Sequence, residues 1–301
     1  MKQSLPYHKI GVLMGGPSSE REVSLRSGAA VAKGLAEAGY DVTSVDIGRN
    51  GLTVPEGIDA VFIALHGSFG EDGEIQRMLE EKKIPYTGSG PEASRRSFDK
   101  LLSKEIFIGA GLPTPEFAVV GKGAENPLPL PVVTKPVREG SSIGIHIVRR
   151  ADEWPAALED TLRYGEQALV EQYIPGRELT AGIVCDEVLP VIEIAPAEGY
   201  YDFHAKYQRH DTRYIVPAEI SDEVSARCRK LAGEAYRALG CSGLSRVDFR
   251  MTSGGELFIL ENNSIPGFTE ASLLPKAACA AGIPFPELCD RIMRAAGLGK
   301  F

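Results

Sequence analysis

Residues 245–269 read S-R-V-D-F-R-M-T-S-G-G-E-L-F-I-L-E-N-N-S-I-P-G-F-T, two apolar runs on either side of a glycine turn. The second run ends on Glu261, and Asn262, Asn263, Pro266 and Gly267 follow at once. Short runs of Val, Phe, Ile and Leu flanking T-S-G-G predict an antiparallel hairpin. Two registers fit. A loop at Ser253-Gly254 pairs Arg246 with Glu261, and a loop at Gly254-Gly255 pairs Asp248 with Glu261. Side chains alternate with period two, so either register puts Arg246, Asp248 and Glu261 on one face, and Asn263 continues that parity. Two carboxylates and an amide, with no His or Cys beside them, are hard oxygen donors. Such a set suits magnesium completed by water and substrate phosphates. The competing reading is an ion pair across a surface hairpin.

Outward from this hairpin the chain divides into three segments. In the first, about 1–92, apolar runs at 9–14, 42–47 and 60–65 alternate with helical patterns at about 20–38 and 73–82. That alternation predicts a parallel sheet with helices on both faces. The second, about 93–175, opens with a basic helical stretch and a proline-rich connector. Strands are expected at 116–120, 131–135, 143–148 and 168–173, with a helix at 151–164. The third, about 176–301, predicts strands at 178–185, 188–194, 243–250 and 256–261 and helices at 222–239 and 270–281. Residues 196–217 show little periodicity and predict a long loop, a length that is usually functional or disordered.

Four other stretches carry chemistry. V-V-T-K-P-V-R-E-G-S-S-I-G, 132–144, delivers Lys135 on a strand and then a loop of Gly140, Ser141, Ser142 and Gly144. A lysine and loop N–H groups are what a nucleotide phosphate needs, although no Walker A pattern is present. In L-M-G-G-P-S-S-E-R-E-V-S-L, 13–25, Ser19 and Glu22 fit a capping box, which leaves Glu20 able to face a cleft and bind an ammonium group. A first-turn acid favoured by the helix dipole is the alternative for Glu20. A-L-H-G-S-F-G-E-D-G, 64–73, sets His66 at the C-terminal end of a strand, where ligands gather in parallel sheets. Y-Y-D-F-H-A-K-Y, 200–207, offers Lys206 and Tyr207 for phosphate contact and closure over substrate. The G-x-G-x-x-A at 88–93 has no strand-ending acid to hold a ribose. Pro91 fits a first helical position instead, which argues against a dinucleotide oxidoreductase.

Composition narrows the class. The 301 residues carry a formal net charge of -8, which argues against nucleic acid or an anionic membrane as a bulk partner. No apolar run reaches the roughly 18 residues of a membrane span, and the N-terminus lacks the apolar core of a signal peptide. The five cysteines are odd in number and unpaired in spacing, so reduced thiols in a cytoplasmic protein are expected.

Taken together, these stretches resemble the D-alanine–D-alanine ligases of the ATP-grasp superfamily. The likeness runs through G-G-P-S-S-E-R-E-V-S-L, A-L-H-G-S-F-G-E-D-G, Y-T-G-S-G-P-E-A-S, F-D-K-L-L-S-K, T-K-P-V-R-E-G-S-S-I-G, G-R-E-L-T, Y-D-F-H-A-K-Y, S-R-V-D-F and E-N-N-S-I-P-G-F-T-E-A-S-L-L-P. It implies an α/β, ATP-grasp fold: an N-terminal Rossmann-like parallel-sheet domain, a small central α+β lid and a C-terminal α+β domain. By the same resemblance, Lys100 and Lys135 would contact ATP phosphates and Lys206 the transferred one. Glu171 and Glu178 would hold adenine and ribose, with Ile174 lining the purine slot. Asp248, Glu261 and Asn263 would bind two magnesium (or manganese) ions. Glu20 would take the ammonium of the first D-alanine and form a hydrogen-bonded set with Ser141 and Tyr207. Arg246 and the Gly267 N–H would hold the oxyanion, and Ser272 and Leu273 the second carboxylate. His66 or Tyr207 would take the amine proton. A homodimer is implied as well.

The chain departs from the family's usual pattern at Ser264, Phe268, Phe98, Thr134 and the Arg95-Arg96 pair. Phe268 is expected near the acceptor site, which bears on the second substrate. The expected activity is ligation of two D-alanines through an acyl phosphate, for peptidoglycan precursor synthesis. The alternatives are a D-alanine–D-lactate or D-alanine–D-serine ligase and a catalytically silent nucleotide-binding regulator. A tyrosine at 207 accompanies amide formation in the family.

Overall fold

The computed structural model describes residues 5–48, 51–195 and 212–300. The first sheet is parallel, in the order β2-β1-β3, from β1 (Lys9–Gly15), β2 (Asp41–Ile47) and β3 (Ala60–Ile63). A further parallel bridge joins Val61 to Tyr86. Both faces of β1 are buried. Ile10, Val12 and Met14 meet Val31 and Leu35 of α1 (Arg21–Ala38), while Leu13 joins Val61, Ile63, and Ile75 and Leu79 of α2 (Glu74–Lys82). That two-sided burial explains why these strands read as continuous apolar runs. The helix at 285–294, not singled out from the sequence, packs Leu288, Cys289, Ile292 and Met293 into the core beneath α1.

The basic helical stretch resolves into α3 (Pro91–Phe98) and α4 (Lys100–Gly109), with Pro91 at the first helical position as expected. Asp99 separates them and caps α4, accepting from the N–H groups of Leu101 and Leu102. A second sheet, β4-β7-β5-β6, is antiparallel and comprises β4 (Phe117–Val120), β5 (Val132–Pro136), β6 (His146–Val148) and β7 (Ala168–Gln172). Helix α5 (Trp154–Thr161) covers it with Trp154, Ala157 and Leu158. Short 3₁₀ turns flank α5, so the helix expected over 151–164 is regular only in its middle.

The third sheet runs β11-β10-β8-β12-β13, with β9 (Glu187–Val188) paired to β8. Its members are β8 (Arg177–Val184), β10 (Ile192–Ala195), β11 (Arg213–Ile215), β12 (Leu244–Met251) and β13 (Leu257–Asn263). The single strand expected at 188–194 is broken at Leu189–Val191, where Pro190 removes a ladder donor. Helix α6 (Asp222–Leu239) packs Leu231, Ala235 and Leu239 against Leu179, Ala181, Val247 and Phe249. On the opposite face, Leu273, Leu274 and Ala277 of α7 (Leu273–Ala280) lie against Val184, Ile192 and Leu244. With α8 (Phe285–Arg294) below the first sheet, the architecture has the parallel N-terminal sheet, small central sheet and larger C-terminal sheet expected of the α/β, ATP-grasp fold that the resemblance implies.

The hairpin register settles the alternative left open by the sequence. Arg246 opposes Asn263 and Asp248 opposes Glu261, the pairing expected from a loop at Gly254-Gly255. Next to the turn, however, Met251 pairs with Leu257 and the Thr252 N–H bonds the Glu256 carbonyl, so the loop is longer than either two-residue form. The ladder then shifts, because Phe249 pairs with Ile259 and Leu260 is left as a bulge. Leu257 and Ile259 are buried in the core, whereas Leu260 and Glu261 both point toward the cleft. Without the extra residue, Glu261 would follow the parity of Ile259 into the apolar interior.

Candidate active site

A cavity of about 490 Å³ lies where α1, the 140–141 loop, β12, the end of β13 and the start of α7 meet. Its wall includes Glu20, Ser141, His66, Arg246, Asn263, Gly267, Ser272 and Leu273, eight of the expected site residues. Lys206 and Tyr207 lie outside the described residues.

Glu20 stands at the N-cap of α1 without capping it. The expected Ser19–Glu22 capping box does not form, because the helix starts at Arg21; the Ser18 hydroxyl instead accepts from the Glu20 N–H at 3.2 Å and donates to the His66 carbonyl at 2.6 Å. The Glu20 carboxylate accepts a short hydrogen bond from the Ser141 hydroxyl. A Cβ at Gly140 would sit 2.6 Å from Glu20 Oε2, so any larger residue would push the Glu20 carboxylate from its present place. Ser141 and Ser142 both hold left-handed backbone, at φ 51° and 59°. Non-glycine residues adopt that at a cost on the order of 1 kcal/mol each.

His66 is buried, with Nδ1 3.1 Å from the Ile265 carbonyl and Nε2 3.0 Å from Ser27 Oγ. Ser27 in turn accepts from the Phe268 N–H at 3.2 Å. Burial alone would depress the imidazole, but Glu71, 3.5 Å from Nδ1, more than offsets it and holds the ring above its usual range. Burial likewise pushes the Glu71 carboxyl up, against the pull of His66. Both ring nitrogens are engaged by protein atoms, so His66 braces the Ile265–Phe268 turn.

A narrow slot opens between the second and third sheets. Lys135, Glu171, Ile174, Arg250 and Leu260 line it. The Glu171 carboxylate is clamped between two lysines, Lys104 at 2.6 Å and Lys135 at 2.6 Å. Burial would raise Glu171, but these two cations hold it below the usual carboxylate range. Burial pulls Lys104 down to about 8 despite that partner. Glu178 sits at the slot's rim, 3.5 Å from Arg250, whose guanidinium also donates to the Ile174 and Gly176 carbonyls. Lys100 reaches the Glu139 carbonyl and lies 3.6 Å from Glu261, tying the lysine to the cleft between slot and cavity.

Asp248, Glu261 and Asn263 converge as the parity argument predicts. Arg246 holds both oxygens of Asp248, at 2.8 and 2.7 Å, and Thr180 donates to Oδ1 at 2.6 Å. The Asn263 amide lies 3.0 Å from Asp248 Oδ2. Two carboxylates and an amide on one face, with no sulfur or imidazole among them, fit a magnesium ion by donor chemistry, although the Asn263 amide here presents its N–H to Asp248. Turning the Asn263 amide would aim its oxygen the same way.

At the far end of the cavity, Ser272 is the N-cap of α7, but its hydroxyl bonds Thr269 rather than the helix. The first-turn N–H groups of α7 therefore keep their capacity for an anion. Phe268 corrects an expectation. Its ring is 1% exposed and stacks at 5.6 Å on both Phe62 and Phe285, in the core and away from the cavity wall. Its neighbours Pro266, Gly267 and Thr269 line the cavity instead.

Three residues escaped the sequence reading. Lys104 is fully buried beneath Glu171. Glu71 supports His66. Asn262 points away from the cleft, where Ser245 donates to it at 2.5 Å and its amide reaches Ser97 Oγ at 2.9 Å. Only the strand parity of Asn262, opposite to that of its neighbours, hinted at this.

Comparison with known proteins bears on this geometry. A family model described as D-ala D-ala ligase C-terminus matches residues 107–294, and its N-terminus counterpart matches 9–55 and 52–89. The chain is 45% identical to a D-alanine–D-alanine ligase of Methylacidiphilum infernorum, covering 97% of this chain and 96% of that one. It is 47% identical to the D-alanine–D-alanine ligase of Geobacter sulfurreducens, over 99% and 96%. The D-alanine–D-alanine ligase of Bacillus anthracis complexed with ATP superposes with a TM-score of 0.84 at 34% identity, covering 96% of this chain and 97% of that chain. On both sequence and structure, this chain belongs to the D-alanine–D-alanine ligase family.

Proposed function

We propose that this protein joins two molecules of D-alanine at the expense of ATP, through an acyl phosphate, for peptidoglycan precursor synthesis in the cytoplasm. The observation that carries the reading is the cavity in which Glu20, Arg246, Gly267 and the N-terminus of α7 face one another beside the Lys135–Glu171 slot. Glu20 offers its carboxylate to the ammonium of the first D-alanine, and Ser141 orients it. The D-alanine carboxylate oxygen attacks the γ-phosphorus and ADP leaves. Lys100 and Lys135, with Lys206, offset the phosphate charge. Magnesium or manganese held by Asp248, Glu261 and Asn263 would neutralise the phosphate oxygens.

The amine of the second D-alanine then attacks the acyl carbon. Arg246 and the Gly267 N–H stabilise the oxyanion, a donor of this kind being worth roughly 3–4 kcal/mol. The carbon–oxygen bond to phosphate breaks and the amide forms. Ser272 and Leu273, at the start of α7, take the second carboxylate. Because both nitrogens of His66 are engaged, we assign the amine proton to Tyr207 and give His66 the task of positioning Gly267. Residues 1–92, 93–175 and 176–301 serve as substrate, lid and catalytic domains, and the working unit is a homodimer.

Phosphate release from ATP with magnesium, with and without D-alanine, tests this reading, the product being identified by mass. Release that depends on D-alanine, with the mass of the dipeptide, is expected. No dependence on D-alanine sinks it. A depsipeptide in competition with D-lactate would favour the ester-forming alternative.

A further inference from the structure

Among the described residues, Lys104 is the one lysine whose side chain is wholly enclosed at the slot, and the proposed chemistry makes no use of it. Its Nζ is 2.6 Å from Glu171 Oε1 and donates to Thr114 Oγ1 at 2.6 Å. Thr114 passes the bond to the Ile259 carbonyl at 2.8 Å, on the strand residue just before the Leu260 bulge. The other carboxylate oxygen of Glu171 is held by Lys135 at 2.6 Å. Lys135 lines the slot, whereas Lys104 lies behind the carboxylate and outside the lining.

This asymmetry has a consequence when a nucleotide enters. Phosphate oxygens draw Lys135 away from Glu171, and a buried carboxylate left without a cation would take up a proton. A protonated Glu171 would donate to a base where an ionised one accepts. We infer that Lys104 is a positioning residue that keeps Glu171 ionised and aimed into the slot once Lys135 turns to the phosphates, so that the slot selects a purine with an amine at C6 over one with an oxo group at C6. The inference rests on the nucleotide reading proposed above. It further implies that Thr114 couples base recognition to the strand that carries Glu261.

Calorimetric titration of ATP and GTP with magnesium, without D-alanine, provides the test. Lys104→Met should weaken ATP by about tenfold or more while GTP changes little, the loss of one charge-assisted acceptor. Raising the pH should restore the ATP preference of Lys104→Met as Glu171 sheds its proton, which a merely structural defect would not do. In a Glu171→Gln background, Lys104→Met should add almost nothing. Thr114→Val, which removes the second anchor of Lys104 without emptying the site, should shift the preference in the same direction and serves if Lys104→Met fails to fold. An unchanged ATP-to-GTP ratio in either variant, or an undiminished effect of Lys104→Met in the Glu171→Gln background, overturns the inference. Failure of the unaltered protein to bind ATP would instead overturn the nucleotide reading.

Discussion

Asp248 and Glu261 stand directly opposite each other across the last two strands of the third sheet, and the bulge at Leu260 is what lets Ile259 enter the core while Glu261 keeps to the side of Asp248. A regular ladder through residues 257–263 would have turned Glu261 into the core beside Ile259. Glu261→Gln keeps the shape and removes the charge. Turnover should fall roughly 100-fold or more, as expected when a metal-held phosphate loses a ligand, while the thermal midpoint stays close to that of the parent. Manganese binding followed by electron paramagnetic resonance should weaken in parallel. Full activity in Glu261→Gln would mean that the metal assignment is wrong.

Asn262 serves the opposite face of the same strand. It accepts from Ser245 and donates to Ser97, both buried. Asn262→Leu keeps the branched shape and removes one partner from each hydroxyl, leaving Ser245 only the Asn263 carbonyl and Ser97 only the Cys241 sulfur. The unfolding free energy measured in urea should therefore drop by about 2 kcal/mol. Little change would show that the network relaxes onto other acceptors.

Phe268 packs on Phe62 and Phe285 rather than on the cavity. Phe268→Met should therefore cost about 1 kcal/mol of stability, as a roughly volume-preserving core change, and leave the KM for the second D-alanine unaltered. A selective change in that KM would place the ring at the acceptor after all.

Lys104 predicts a pH signature. Its folded pKa, about 8, lies below the ordinary lysine value of 10.5 because burial disfavours the charge, opposed by Glu171 and Glu261 and aided by Lys135. Between about 8 and 10.5 the unfolded chain holds this proton and the native state has lost it. Stability from this group therefore rises with pH across that window. The difference in urea midpoint between the parent and Lys104→Met should change with pH above 8 and stay flat below it. A difference that is flat throughout would show that Lys104 titrates normally.

Much of this arrangement is legible in the sequence where periodicity is regular. The period-two argument brings Arg246, Asp248, Glu261 and Asn263 to one face, and the structure places them there. The bulge that sends Ile259 to the core while Glu261 faces the cleft is not legible, because an unpaired residue in an apolar run looks like any other. Lys104 reads as a surface lysine in a helix, and nothing local reveals that Glu171, 67 positions away by numbering, fills the space above it. The capping box at Ser19 and Glu22 failed for a related reason: Ser18 is claimed by the His66 carbonyl, a contact made across the sheet, and the helix starts one turn position later. Phe268 follows the same pattern, since its partners come from residues 62 and 285.

The central claim is that the donor carboxylate passes through an acyl phosphate. D-alanine labelled with ¹⁸O in its carboxylate, incubated with ATP, magnesium and the protein, tests it most directly. The attacking oxygen stays with phosphorus when the acyl carbon–oxygen bond breaks, so each dipeptide formed should release one inorganic phosphate carrying one ¹⁸O. Inorganic phosphate free of label, alongside dipeptide, would contradict the account.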